Sequence, residues 1–252
     1  MLSIATWNIH KGFSQFNRRM VVHELRDRLR ELNTDIVFLQ EVQGQHERHA
    51  ERHADWPALP QHEFLAEGVW GSHAYGRNMV YDHGHHGNAI LARYPILTSH
   101  NQDVTRLRFE KRGLLHCTVD VPGLPAPLHC VCAHLSLFGR SRRHQYEALA
   151  GFIESNVPAA SPLVIAGDFN DWRGRACEHL APRLGVTEVF AAGTARPSRS
   201  FPAALPLFRL DRIYVRGLKT EQCAVHHGPP WSSISDHAAL SARFSLPGRN
   251  AD

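Results

Sequence analysis

Short apolar runs that end abruptly in polar side chains recur along the chain. Leu2-Ser-Ile-Ala-Thr-Trp runs into Asn8, Ile36-Val-Phe-Leu into Gln40 and Glu41, and Leu163-Val-Ile-Ala-Gly into Asp168, Asn170 and Asp171. Runs this short, rich in branched residues and bounded by turn formers, read as buried strands rather than helices. Each would therefore open at its end into a cluster of oxygens and amides. Further strands are predicted at 87–95, 114–121, 128–135, 210–215 and 238–244, the second and third as a hairpin. Helical spacing places Val21, Val22, Leu25, Leu29 and Leu32 on one face of 18–32, and Tyr146, Leu149, Phe152 and Ile153 on one face of 141–154. A shorter helix is predicted over 175–184. The stretch 43–86, rich in His, Gly and Trp, follows neither period and reads as irregular. Its histidines at 46, 49, 53 and 62 are mixed with Glu and Arg, which points to a solvated helix face rather than a metal cluster.

Composition fits a single large α/β or two-sheet domain as well as two small ones, and one domain over 1–246 with a frayed tail at 247–252 is the favoured reading. At 252 residues and 43% hydrophobic content, the chain can bury a sizeable core. The formal charge of +4 and pI near 8.9 welcome an anionic substrate, but they fall short of the basic face of a dedicated nucleic-acid binder. Cys117, Cys130, Cys132, Cys177 and Cys223 are odd in number and form no CxxC pair, so neither a disulfide framework nor a structural zinc site is indicated. Cys130 and Cys132 alternate within one apolar strand, where thiols are inert. No basic leader opens the sequence and no apolar run reaches membrane-spanning length, so a soluble cytoplasmic protein is expected.

Candidate chemistry gathers at the strand ends. Asp168 and Asn170 lie two apart and point the same way if the backbone stays extended, and a carboxylate beside an amide can aim a water molecule. The same residues are also ordinary turn formers. Lys11, Arg140, Arg142, Arg143, Arg173 and Arg175 follow strand ends and would draw anions to a shared mouth, unless they are surface helix arginines. Trp172, Phe201, Phe208 and Trp231 either wall a pocket or pack in the core, with core expected for at least two.

The tags TWNIHKG, LQEV, HGNAIL, CAHL, GDFNDW, LDRIYV and SDH occur in an order that resembles the endonuclease/exonuclease/phosphatase superfamily, with its DNase I-like fold, over nearly the whole chain. The wording HKGF, FNRR, GHHGNA and GDFNDWR is most similar to a bacterial branch of it. The resemblance implies an α/β (α+β) four-layer sandwich, two packed and mostly antiparallel sheets flanked by helices, with a metal-dependent site at one end. It implies a phosphodiester or phosphomonoester hydrolase that uses in-line attack of an activated water with Mg²⁺ or Mn²⁺. Glu41 is the expected first ligand, a carboxylate suited to a hard ion, with Asn8 and Asp236 beside it. Asp168 would activate the water, and Asn170 would hold it or a phosphate oxygen. His237, partnered by Asp211, would donate to the developing phosphate charge. His134 would protonate the leaving oxygen or clamp the phosphate. Asn88, Lys11, Arg140, Arg173 and Trp172 are the expected substrate contacts. Related enzymes act on nucleic acids, inositol phosphates and phospholipid head groups, so a lipid head group, a nucleic acid or a small phosphodiester is the expected partner. Transient contact with a membrane surface or nucleic acid is compatible with this. A nuclease and an inactive binding protein on the same fold are the competing readings, although the second predicts a missing ligand or base.

Overall fold

The structure, a computed structural model, describes residues 1–15, 19–190 and 198–246; the expected frayed tail lies outside them. β1 (Leu2–Asn8) leads through α1 (Val22–Leu32) to β2 (Ile36–His46), which runs parallel to β1. The short helices α2 (Glu47–Arg52) and α3 (Gln61–Ala66) follow, then the antiparallel strands β3 (Ser72–Tyr81) and β4 (Gly84–Ala92). A meander of β5 (Ile96–Asp103), β6 (Gly113–Val119) and β7 (Leu128–His134) then crosses through α4 (Gly139–Asn156) to β8 (Leu163–Asp168), parallel to β7. The remaining elements are α5 (Ala176–Leu184), β9 (Thr187–Glu188), β10 (Asp211–Arg216), β11 (Lys219–His226) and β12 (Ala239–Ser245).

Two six-stranded sheets result, ordered β11-β12-β1-β2-β4-β3 and β5-β6-β7-β8-β10-β9. Every pairing is antiparallel except β1 with β2 and β7 with β8, each the central pair of its sheet and each joined by a helical crossover. The alternation of side chains explains the layers. On β2, Ile36 and Phe38 enter the core between the sheets, while Val37 and Leu39 meet α1. On β8, Val164 and Ala166 face the other sheet, while Leu163 and Ile165 meet α4 and α5. Strands covered on both faces need apolar residues at every position, which is why their sequences read as unbroken runs. The α/β/β/α sandwich expected from the resemblance is the observed one, and Cys130 and Cys132 share its inter-sheet face.

The stretch 43–86 is a correction to the sequence reading. It contains the end of β2, both short helices, β3 and the start of β4. β3 is an edge strand, and so are β5, β9 and β11, none of which the apolar pattern predicts. An edge strand keeps one face and one rim in water, so it carries polar residues such as the Thr98-Ser-His-Asn-Gln of β5. The histidine-rich segment also divides. α2 buries none of its residues, whereas His62 on α3 is buried and stacks on Tyr75 with ring centroids 4.7 Å apart.

One backbone position decides how β8 reaches the site. Gly167 has φ +144°, and a Cβ there would lie 1.9 Å from the carbonyl oxygen of Ala133 on the neighbouring strand. No side chain fits between these parallel strands immediately before Asp168. Gly167→Ala should therefore lower stability by about 3 kcal/mol in a urea titration. A loss below about 1 kcal/mol would show that β7 and β8 can separate at no cost.

Candidate active site

The two crossover units deliver their polar termini to the same end of the sandwich. Asn8 closes β1, Glu41 lies in β2, His134 closes β7 and Asp168 closes β8. Asp211 opens β10 as the register partner of Asp168, and residues 235–237 enter β12 alongside the end of β1. Asp168 Oδ2 is the meeting point. It accepts from Asn8 Nδ2 at 3.1 Å and lies 3.6 Å from His134 Nε2 and 3.8 Å from His237 Nε2. Asn8 Nδ2 also reaches Glu41 Oε1 at 3.4 Å, and Lys11 Nζ lies 3.7 Å from Glu41 Oε2. His237 Nδ1 and Asp211 Oδ2 are 2.8 Å apart.

Backbone conformation is unusual here. His10, Lys11, Glu41 and Asn170 all have positive φ, at 45°, 59°, 57° and 47°. Glu41 sits where the pairing of β2 with β4 skips between Leu39 and Val42, a bulge that re-aims its side chain. Left-handed non-glycine residues cost free energy, and their concentration at one end of a fold marks a functional site. Asn170 bends because its N–H donates to Asp168 Oδ1 and its Nδ2 to the carbonyl of Leu135. Extended geometry therefore does not persist past Asp168, and the turn itself sets the Asp168–Asn170 relation.

Two residues given no role by the sequence reading hold His237 in place. Trp7 Nε1 donates to the His237 carbonyl, and the Ser235 hydroxyl donates to Asn8 O while accepting from His237 N. Ser235 lies inside the SDH tag, so its position was visible but not its bonds.

Burial disfavours an imidazolium at His237, but Asp211 and Asp168 outweigh it and push its pKa up to about 10. Burial raises the Asp168 carboxyl, and Asp211 adds to this while His237 opposes it. His134 goes the other way, held neutral by burial and by Arg112. Burial opposes ionisation of Glu41, yet nearby His134, Lys11, His86 and His10 hold its carboxyl at about 2. Burial drives His134 and His86 themselves toward the neutral form.

The sequence profile described as the Endonuclease/Exonuclease/phosphatase family matches residues 5–237. The chain belongs to this family. It is 45% identical to YbhP of Escherichia coli (strain K12) over 243 residues, 96% of each chain. The fold resembles the endonuclease/exonuclease/phosphatase crystal structure from Beutenbergia cavernae, with a TM-score of 0.77 and 20% identity, covering 98% of this chain and 72% of that one. It also resembles D. rerio TDP2 complexed with a single-strand DNA product, with a TM-score of 0.68 and 20% identity, covering 97% and 99%.

The family's expected residues are only partly gathered. Asn8, Glu41, Asp168, Asn170, Asp211, His134 and His237 converge. Asp236 is half-buried beside them, close enough to favour the His237 charge. Asn88 is fully buried and spends its amide hydrogens on the carbonyls of Gly113 and Cys132, tying one sheet to the other; only Oδ1 is left without a partner. Asp171 caps α5 through Arg175 N and Ala176 N and pairs with buried Arg212. Arg140, Arg142, Arg143, Arg173, Arg175 and Trp172 line a groove of about 540 Å³, and of these Arg142 is buried and donates to Ser136 O and Leu137 O. Core packing was expected for at least two of the four aromatics, but only Trp231 packs on a core cluster, against Trp7. Trp172 and Phe208 are exposed, and Phe201 lies 5.1 Å from the His237 ring.

Ligand atoms of Asp168, Asp211 and His237 lie within 4.8 Å of one another, a spacing that can hold a metal ion. Hard carboxylate and amide oxygens dominate the surroundings, and buried Asp211 Oδ1 has no hydrogen-bond partner. The donor set fits a hard divalent cation better than a soft one.

The Asp211–His237 pair is testable without substrate. Asp211→Asn should drop the His237 pKa from about 10 toward the ordinary histidine value of about 6.5, read by NMR titration. A raised folded-state pKa stabilises fully below about 6.5, and the effect is lost as pH rises through about 10. The substitution should therefore destabilise the protein at pH 7 and leave little difference above pH 10. An unchanged His237 titration would remove Asp211 as its partner.

Proposed function

We propose that this protein is a divalent-metal-dependent phosphoesterase that hydrolyses a phosphodiester, or a phosphomonoester, by in-line attack of water. The observation that carries the reading is the crowding around Asp168 Oδ2, which has Asn8, His134 and His237 within 4 Å and Glu41 one hydrogen bond further on. An isolated structural carboxylate has no use for such a setting.

Glu41, Asn8 and Asp236 are the residues we assign to Mg²⁺ or Mn²⁺, with Asp168 adjoining, because a His237 kept protonated by Asp211 and Asp168 has no lone pair to offer the ion. When bound, the ion supplies Lewis-acid stabilisation of charge on the phosphoryl oxygens. Asp168 takes the proton of the attacking water. A carboxyl raised by burial is a stronger base than a solvated one, and its pKa moves toward the working pH. Asn170, fixed by its bonds to Asp168 and Leu135, orients that water or a phosphate oxygen. His237 remains an imidazolium at neutral pH and donates to the charge that develops on the phosphate. His134, held neutral, suits clamping the phosphate through an N–H better than delivering a proton. Lys11, Arg140, Arg173 and Trp172 would contact the rest of the substrate.

A nuclease is the second reading, favoured by the arginine-lined groove beside the site. A non-catalytic binding protein is disfavoured, since every residue the reaction needs is present and most of them converge.

Asp168→Ala and His237→Ala should each lower turnover of an aryl phosphodiester by roughly 10²–10⁴-fold with the fold intact by circular dichroism. Near-normal turnover in both would sink the assignment. In the parent enzyme, kcat/KM should rise with pH as Asp168 loses its proton and fall again as His237 loses its own near pH 10. His237→Gln should lack the alkaline limb. Glu41→Gln should weaken Mn²⁺ binding in calorimetry, and chelator should abolish turnover; unchanged affinity would move the ion elsewhere.

A further inference from the structure

The mouth of the site is ringed by side chains that gain nothing from water. Four loops meet at this end: 104–112 between β5 and β6, 135–138 before α4, 169–175 before α5, and the segment leading into β10. Phe109, 69% exposed, tips the first loop, and Leu137 and Phe138 tip the second. Trp172 tips the third, and Leu205 (68% exposed) and Leu207 the last. The other exposed large apolar residues, Met1, Leu59, Val80 and Leu97, belong to separate segments.

These tips form one connected surface. The Phe109 and Phe138 rings are 5.9 Å apart, and Trp172 and Phe208 are 5.0 Å apart. Glu110 accepts from the Ser136 hydroxyl and from Leu137 N, and Arg112 donates to Leu135 O, so the first two loops are tied together. Leu137 and Trp172 line the same groove as Arg140, Arg143, Arg173 and Arg175, and exposed Arg106 and Arg108 extend the positive charge onto the first loop. Phe201 joins Trp172 to His237, so the apolar rim begins one ring away from the catalytic imidazole.

We propose that this rim is a docking surface for an anionic phospholipid bilayer. Arginines draw such a surface in through its charge, and the Leu and Phe tips enter its acyl boundary. The occupant is chosen by chemistry. Aromatic rings and arginines would also suit a nucleic acid, but Leu137, Leu205 and Leu207 cannot stack on bases and leave water only for hydrocarbon. Among the described residues no helix is long and apolar enough to cross a membrane, so the contact is interfacial. Resting on the hydrolase reading, the surface makes a lipid head group the phosphoester presented to Asp168 and His237.

The test uses the full chain and extruded vesicles of phosphatidylcholine, with and without phosphatidylglycerol, in a sedimentation assay. Binding should require the anionic lipid and weaken with salt. Phe109→Ser with Phe138→Ser, and separately Leu205→Ser with Leu207→Ser, should each cut binding by roughly tenfold or more, while turnover of a soluble aryl phosphodiester stays unchanged. Arg106→Gln with Arg108→Gln should weaken binding mainly at low salt. Undiminished vesicle binding by both apolar variants would overturn the proposal. So would a parent protein that ignores anionic vesicles, whether or not it binds a single-stranded oligonucleotide. Vesicle binding with no turnover of any phosphoester would leave the surface standing and remove the hydrolase reading alone.

Discussion

The 2.8 Å hydrogen bond between His237 Nδ1 and Asp211 Oδ2, beside the one from Asn8 to Asp168, joins the two sheets at the end where the candidate site lies. Asp211 begins a strand of one sheet, and His237 leads into a strand of the other. The bond answers an electrostatic problem. Asp168 and Asp211 are register partners on adjacent strands, both essentially without solvent, and two buried carboxylates side by side are strongly unfavourable. An imidazolium beside both makes the pair tolerable, and the two carboxylates in turn keep it charged. Removing the imidazolium leaves two carboxylates uncompensated, and removing Asp211 takes away the group that does most to keep it charged, so the packing of the sheets and the protonation of the site are one property.

The rest of the architecture delivers groups to that point. Each sheet is built on a central parallel pair with a helical crossover, and the carboxyl ends of both pairs converge. That duplication explains how four residues far apart in sequence, Asn8, Glu41, His134 and Asp168, meet without long loops. Ligands collect at the carboxyl ends of parallel strands in open α/β sheets for a related geometric reason: the chain leaves the sheet there and the side chains of adjacent strands are free to turn inward. Strain concentrates at the same place. Among the described non-glycine residues with positive φ, only Asn33 lies away from the site, at the end of α1.

How much of this was legible in the sequence follows from burial. Central strands such as Leu163-Val-Ile-Ala and Ile36-Val-Phe-Leu are covered on both faces and could carry only apolar residues, so pattern alone located them. The edge strands β3, β5, β9 and β11 carry mixed side chains, and pattern alone passed over them. Strand ends announced the site in the same way, because Asp168 and Glu41 interrupt runs that otherwise admit no charge. Ser235 and Trp7 were not legible as positioning residues, since their role lies in bonds to backbone atoms of segments distant in sequence. The aromatics near the site misled for a related reason: an apolar side chain is most often core, and only the fold reveals that Trp172 and Phe208 face water.

His134 and His237 face the same carboxylate from different surroundings. Their Nε2 atoms lie 3.6 and 3.8 Å from the same oxygen of Asp168, and both rings are buried. Residue type, burial and distance to that carboxylate are therefore matched, yet one imidazole is neutral and the other charged. The difference lies behind each ring. Burial lowers the affinity of both rings for a proton; Arg112 adds to this at His134, whereas Asp211, hydrogen-bonded to His237, opposes it there. A site with two identical side chains thus gains two chemically distinct groups, a neutral hydrogen-bonding ring and a cation, on either side of one carboxylate. The two rings therefore differ through their neighbours, with Arg112 adding to burial at His134 and Asp211 and Asp168 overcoming it at His237.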